Sequence, residues 1–168
     1  MKKIGLLVIF AVCFIGTKAQ KSYDFLKGEK EMDIVLDYSE AKLDKKQSTA
    51  FFTLKNMDEQ DYEEKYKKRM LQIFVSNVNE YLPSDFIIVP DAQNTDYQLI
   101  IKVINVDGDG ETTAKIIISK IDTNEVMANF SANGDGGRWG SFSNLSGDGM
   151  ERLAKNVGKN VAKKMNFK

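Results

Sequence analysis

Residues 31–39, "EMDIVLDYS", set Met32, Ile34, Leu36 and Tyr38 against Asp33 and Asp37. That period of two predicts a half-buried strand. The polar stretch that follows, "EAKLDKKQSTAFFTLKN", is broken only by Leu43 and the apolar knot Phe51, Phe52 and Leu54, and reads as a loop with room for one short strand. From Asp58 to Leu82 the period changes. Tyr66, Met70, Ile73, Phe74, Asn77, Val78 and Tyr81 return at three- and four-residue spacing, and Glu63–Lys67 and Glu64–Lys68 are acid-first pairs four apart, so this segment predicts a long helix. Pro83 and Pro90 bracket "DFIIV", a short strand.

Two β-branched runs, "YQLIIKVINV" and "TTAKIIISKID", flank "DGDGE" and predict a hairpin. The turn "DTNE" then leads into "EVMANFSAN", a third antiparallel strand. Isoleucines on both faces of the middle strand predict a helix on one side of the sheet and partial shielding of the other. Half of the twelve glycines fall between Gly134 and Gly149, ahead of a basic helix with Met150, Leu153, Val157, Val161 and Met165 as its apolar stripe. Asp148 and Glu151 have capping-box spacing and would start that helix. The expected fold class is α+β: a mostly antiparallel sheet of about five strands, with two long helices on one face, in the order β-α-β-β-β-β-α.

Residues 1–19 change the picture of where this domain works. Lys2 and Lys3, then "IGLLVIFAVCFIG", then Thr17-Lys18-Ala19 have the layout of an export signal cleaved near Ala19. Residues 20–30 read as a flexible polar lead-in, and 31–168 as a single domain. No later run is long and apolar enough to cross a membrane. The expected location is the periplasm or the exterior. Lipid anchoring at Cys13 is the weaker reading, because Phe10-Ala11-Val12 is a poor lead into a lipidated cysteine.

The whole sequence balances 24 basic against 24 acidic residues. Loss of Lys2, Lys3 and Lys18 leaves a net charge of about −3, which disfavours binding to nucleic-acid backbones. There is no histidine, and Cys13 is the only cysteine. Ser-His-Asp and Cys-His catalysis and thiolate metal sites are therefore excluded, and no residue is singled out as catalytic. With so many carboxylates, spacing selects no acid–base pair.

Three features remain as candidate chemistry. The glycine-rich stretch matches neither GxGxxG nor GxxxxGK[ST], so it reads as a connection rather than a phosphate cradle. Asn105, Asp107, Asp109 and Gly110 repeat the first half of a calcium loop. However, Ile116 stands where the bidentate glutamate belongs, and a site would have to recruit Glu111 or neighbouring aspartates. Calcium is the alternative reading, and no other cofactor is expected. Trp139 and Phe142, with Arg138 beside them, are the candidate partner-binding residues. Their competing role is to cover a sheet edge or the helix start.

From Asp96 onward, "DYQLIIKVINVDGDG", "AKIIISKIDTNEVMANFSANGDGG" and "GMERLAKNVGKNVAKKM" resemble exported bacterial domains that include the curli-assembly lipoprotein and the amino-terminal domain of the Tol-system propeller protein. Asn124 stands where that pattern usually has glycine, a change that asparagine's tolerance of the left-handed conformation allows. The resemblance implies a non-catalytic envelope domain that binds other proteins. No insert here is long enough to carry over channel formation.

Overall fold

The computed structural model describes residues 22–165. The leader, the cleavage position at Ala19 and Cys13 lie outside them. The fold is α+β. A short 3-10 turn at Asp24–Leu26 precedes β1 (Glu31–Asp37), β2 (Lys42–Leu43), β3 (Lys46–Gln47), α1 (Ser48–Asp58) and α2 (Tyr62–Asn79). Then come β4 (Ile87–Ile88), β5 (Tyr97–Val106), β6 (Thr112–Lys120), β7 (Val126–Gly134) and α3 (Phe142–Lys164).

The three expected antiparallel strands form as read. β5 and β6 pair from Tyr97–Lys120 to Val106–Thr112, and β6 pairs with β7 in turn. Asn124 takes φ 56 in the second turn, the left-handed conformation expected of it. The other edge of β5 is parallel. It carries β1 on residues 98–102 and β2 on residues 105–106, with β4 outside β1 and β3 outside β2. The parallel pairing follows from the helices between β1 and β5, which carry the chain back to the end of the sheet where β1 began.

One face of the sheet makes the core. Met32, Ile34, Leu99, Ile101, Val103, Ala114, Ile116 and Ile118 are buried there, beneath Tyr66, Met70, Phe74 and Val78 of α2 and Met150, Leu153, Val157 and Val161 of α3. The two helices approach closely at Gly158, where a Cβ would stand 2.7 Å from the Val78 carbonyl oxygen. On the opposite face Val35, Ile100 and Ile117 line up across three strands, with the two isoleucines half-buried.

Four expectations need correction. The polar stretch after β1 holds two short strands and a helix, α1, whose Ser48, Phe51 and Phe52 are buried on one face. The long helix does not run from Asp58: Asp61, at φ 62, breaks it, and Asn56 Oδ1 accepts from the Glu63 amide at the new start. The lead-in is not free, since Tyr23 and Leu26 are buried and the Tyr23 amide donates to the Lys164 carbonyl at 2.9 Å. Finally, α3 starts at Phe142 behind Ser141, so Asp148 and Glu151 lie inside the helix and no capping box forms. Gly149 packs against the backbone of Gly110 from inside the helix and does not mark its start.

Candidate protein-binding site

Gly134, Gly136 and Gly149, with Gly110, serve a crossing of backbones. Here α3 runs over the β5–β6 turn and the end of β7. A Cβ on Gly110 would overlap the backbone of Leu145, one on Gly149 the carbonyl of Gly110, and one on Gly134 the backbone of Gly149 and Leu153. Only residues without side chains allow this approach. The stretch is therefore a close-packed joint, neither a slack link nor an open cradle.

That joint fixes the short loop from Asp135 to Ser141. Gly136 sits against the backbone of Asp109 and Glu111, and Arg152 Nη1 donates to the carbonyls of Asp135 and Gly136. Beyond this clamp Arg138, Trp139 and Gly140 are exposed, with Gly140 at φ 134. Trp139 is 90% exposed. Phe142 takes the other of the two roles read for it. Its ring lies 5.0 Å from Phe51 and stacks on Tyr66 at 6.2 Å, pinning the start of α3 to α1 and α2. The structure thus separates residues that the sequence placed together.

Beside this helix start, α1, α2 and α3 enclose an open cleft of about 440 Å³. Lys55, Lys65 and Arg69 line it together with Glu59, Tyr62 and Phe142. Glu59 pairs with Lys65 at 3.1 Å. Arg69 donates to Ser143 Oγ and Asn144 Oδ1, each at 3.0 Å. Sequence reading missed this cleft because it missed α1. The available signal was Ser48, Phe51 and Phe52 at i, i+3, i+4 spacing, the face of a helix.

Beneath the cleft the hydroxyls of Tyr38 and Tyr66 are buried close to each other, that of Tyr66 also close to Ser146, and neither makes a hydrogen bond of ordinary geometry among the described residues. Ser146, near Tyr66, gives its own hydrogen to the Phe142 carbonyl at 2.6 Å. Burial pushes the Tyr66 phenol up to about 12, and that of Tyr38 well above its ordinary value.

The acidic turn is organised by its own first aspartate. Asp107 Oδ1 accepts from the amides of Asp109 at 3.0 Å and Glu111 at 2.9 Å. Asn105 is within β5, opposite Lys42 and Thr113. Among the described residues, no three acidic, histidine or cysteine side chains are grouped so as to hold a metal ion. None of the described helices is long and apolar enough to cross a membrane.

No protein-family model matches the chain, and no curated protein sequence matches it. Solved structures do match in part. An uncharacterised protein aligns over 56% of this chain and 65% of its own, at 14% identity and TM-score 0.42. A DUF330-family protein from Xanthomonas campestris aligns over 54% and 59%, at 13% identity and TM-score 0.35. The PelC dodecamer from Paraburkholderia phytofirmans aligns over 81% and 88%, at 13% identity and TM-score 0.38. The chain thus spans less than two thirds of the length of the first two. Neither named bacterial protein is a curli-assembly or Tol-system protein, so the resemblance to those domains stands on its residues alone.

Proposed function

We propose that this chain is an exported, non-catalytic domain that binds another protein through the loop carrying Trp139. The observation that carries the proposal is the exposure of Trp139 on a clamped loop. A large aromatic side chain held in water adds nothing to the packing of the free protein, yet it gains greatly when a partner desolvates it. Because the loop stem is already fixed by Arg152 and the Gly136 contact, little ordering cost falls on association. The non-catalytic part is supported by the composition, which holds no histidine and no cysteine besides Cys13.

A photo-crosslinking residue at position 139, expressed in the native host, tests the reading. Position 57 is the control, because Met57 is 80% exposed and outside the site. A discrete adduct at 139 and none at 57 is the expected result. Identical adduct patterns at both positions, or none at 139, would overturn the reading.

A further inference from the structure

We propose that the cleft between α1, α2 and the start of α3 receives an acidic peptide segment, seating a carboxylate between Arg69 and Lys55. This rests on the protein-binding reading and names the chemistry of the partner. The cleft holds three cations against one carboxylate, and that carboxylate is already bound to Lys65. Arg69 is oriented by two hydrogen bonds, both to neutral acceptors, so its direction is fixed while its charge has no ion pair among the described residues. Lys55 has no ion pair among the described residues and lines the same cleft.

The start of α3 adds to this excess. A helix of 23 residues presents partial positive charge at its first turn, and here that turn contains no acidic residue and no side-chain cap. Tyr62 and Phe142 wall the cleft and lower the screening of these charges, which strengthens their attraction for an anion. The volume exceeds that of a single inorganic anion. A concave, aromatic-walled cleft two residues from the exposed Trp139 suits a chain with acidic and apolar side chains. A membrane surface, by contrast, needs a convex apolar face.

Trp139 is the only tryptophan in the sequence, so its emission reports on this end of the molecule alone. The mature chain is titrated with a blocked ten-residue peptide of glutamate and leucine, with its lysine–leucine counterpart, and with inorganic phosphate. Calorimetry runs in parallel. The glutamate peptide is expected to bind saturably and to weaken about tenfold or more between 50 and 500 mM salt. Lys55→Glu and Arg69→Gln should each weaken it at least tenfold, and an unchanged melting midpoint for Lys55→Glu excludes misfolding as the cause.

Equal binding of the lysine peptide, or undiminished binding by Lys55→Glu, overturns the proposal. So does phosphate binding without peptide binding, which would make this a small-anion site. If the glutamate peptide fails while position 139 still crosslinks a partner, the acidic assignment falls and the protein-binding reading stands. The reverse outcome separates them the other way.

Discussion

Gly149 in α3 meets the carbonyl of Gly110 at the β5–β6 turn with no space for a methyl group between them. In an open helix, glycine to alanine would gain about 1 kcal/mol. Here the overlap is with the backbone carbonyl of Gly110, with the Thr112 hydroxyl beside it, and overpacking of that kind costs roughly 1–3 kcal/mol or more. Gly149→Ala should therefore lower stability by about 2 kcal/mol. Gly147→Ala is the contrast, because its nearest neighbour is the flexible Cδ1 of Ile73 at 3.3 Å. That substitution should be neutral or stabilising by up to about 1 kcal/mol. Urea melts of the two variants check the pair, and destabilisation of equal size in both would refute the crossing account.

Trp139 and Phe142 should behave oppositely when truncated. Trp139→Ala removes a side chain that is 90% exposed, so the melting midpoint should not move, while partner binding is lost. Phe142→Ala opens a gap among Phe51, Tyr62 and Tyr66. Because Phe142 is only partly buried, the expected cost is about 2 kcal/mol, below the usual range for a fully buried phenylalanine. A melt of each variant decides the matter.

Calcium should leave the melting midpoint unchanged relative to chelator. One oxygen of Asp107 already serves two amides of its own turn, and a ligand that stabilises the native state must raise the midpoint. A rise that scales with calcium concentration and disappears in Asp109→Asn would establish the acidic turn as a site.

Alkaline conditions should weaken the fold through Tyr66. The unfolded phenol ionises near its ordinary value of 10.0, whereas burial holds the folded one neutral to about 12. Stability is thus fully present below pH 10 and falls as pH rises towards 12, by about 1.4 kcal/mol per pH unit. Tyr38 is shifted in the same direction by its burial. Tyr66→Phe should flatten the slope between pH 10 and 12 in denaturant titrations. It should cost at most about 1 kcal/mol at pH 7, because the Tyr66 hydroxyl lies near those of Tyr38 and Ser146 without a hydrogen bond of ordinary geometry.

Periodicity made the β5–β6–β7 meander and the buried stripes of α2 and α3 legible, because β-branched runs or three- and four-residue spacing persist over most of each element. It did not reveal α1, whose buried face is only Ser48, Phe51 and Phe52 while the apolar Leu54 and Met57 are exposed and blur the pattern. Local residue patterns also misplaced the start of α3. Asp148 and Glu151 satisfy a capping rule, but the tertiary crossing at Gly110 and Gly134 allows the helix to begin earlier. At the site, sequence identified Trp139 but joined it to Phe142. Only the positions of Phe51 and Tyr66, distant in the chain, separate the exposed residue from the packed one.

The pairing of Ile34 with Leu99 sets an order of assembly. A polypeptide delivered amino end first holds β1 without a neighbour until most of the domain has emerged, since its parallel partner lies beyond both α1 and α2. The meander, by contrast, closes from contacts between adjacent segments. Met32 and Ile34 therefore gain their strand neighbours, Ile88 and Leu99, only after both helices have been delivered. The first strand is thus enclosed only by residues that lie beyond two helices, whereas the meander closes from its own neighbours.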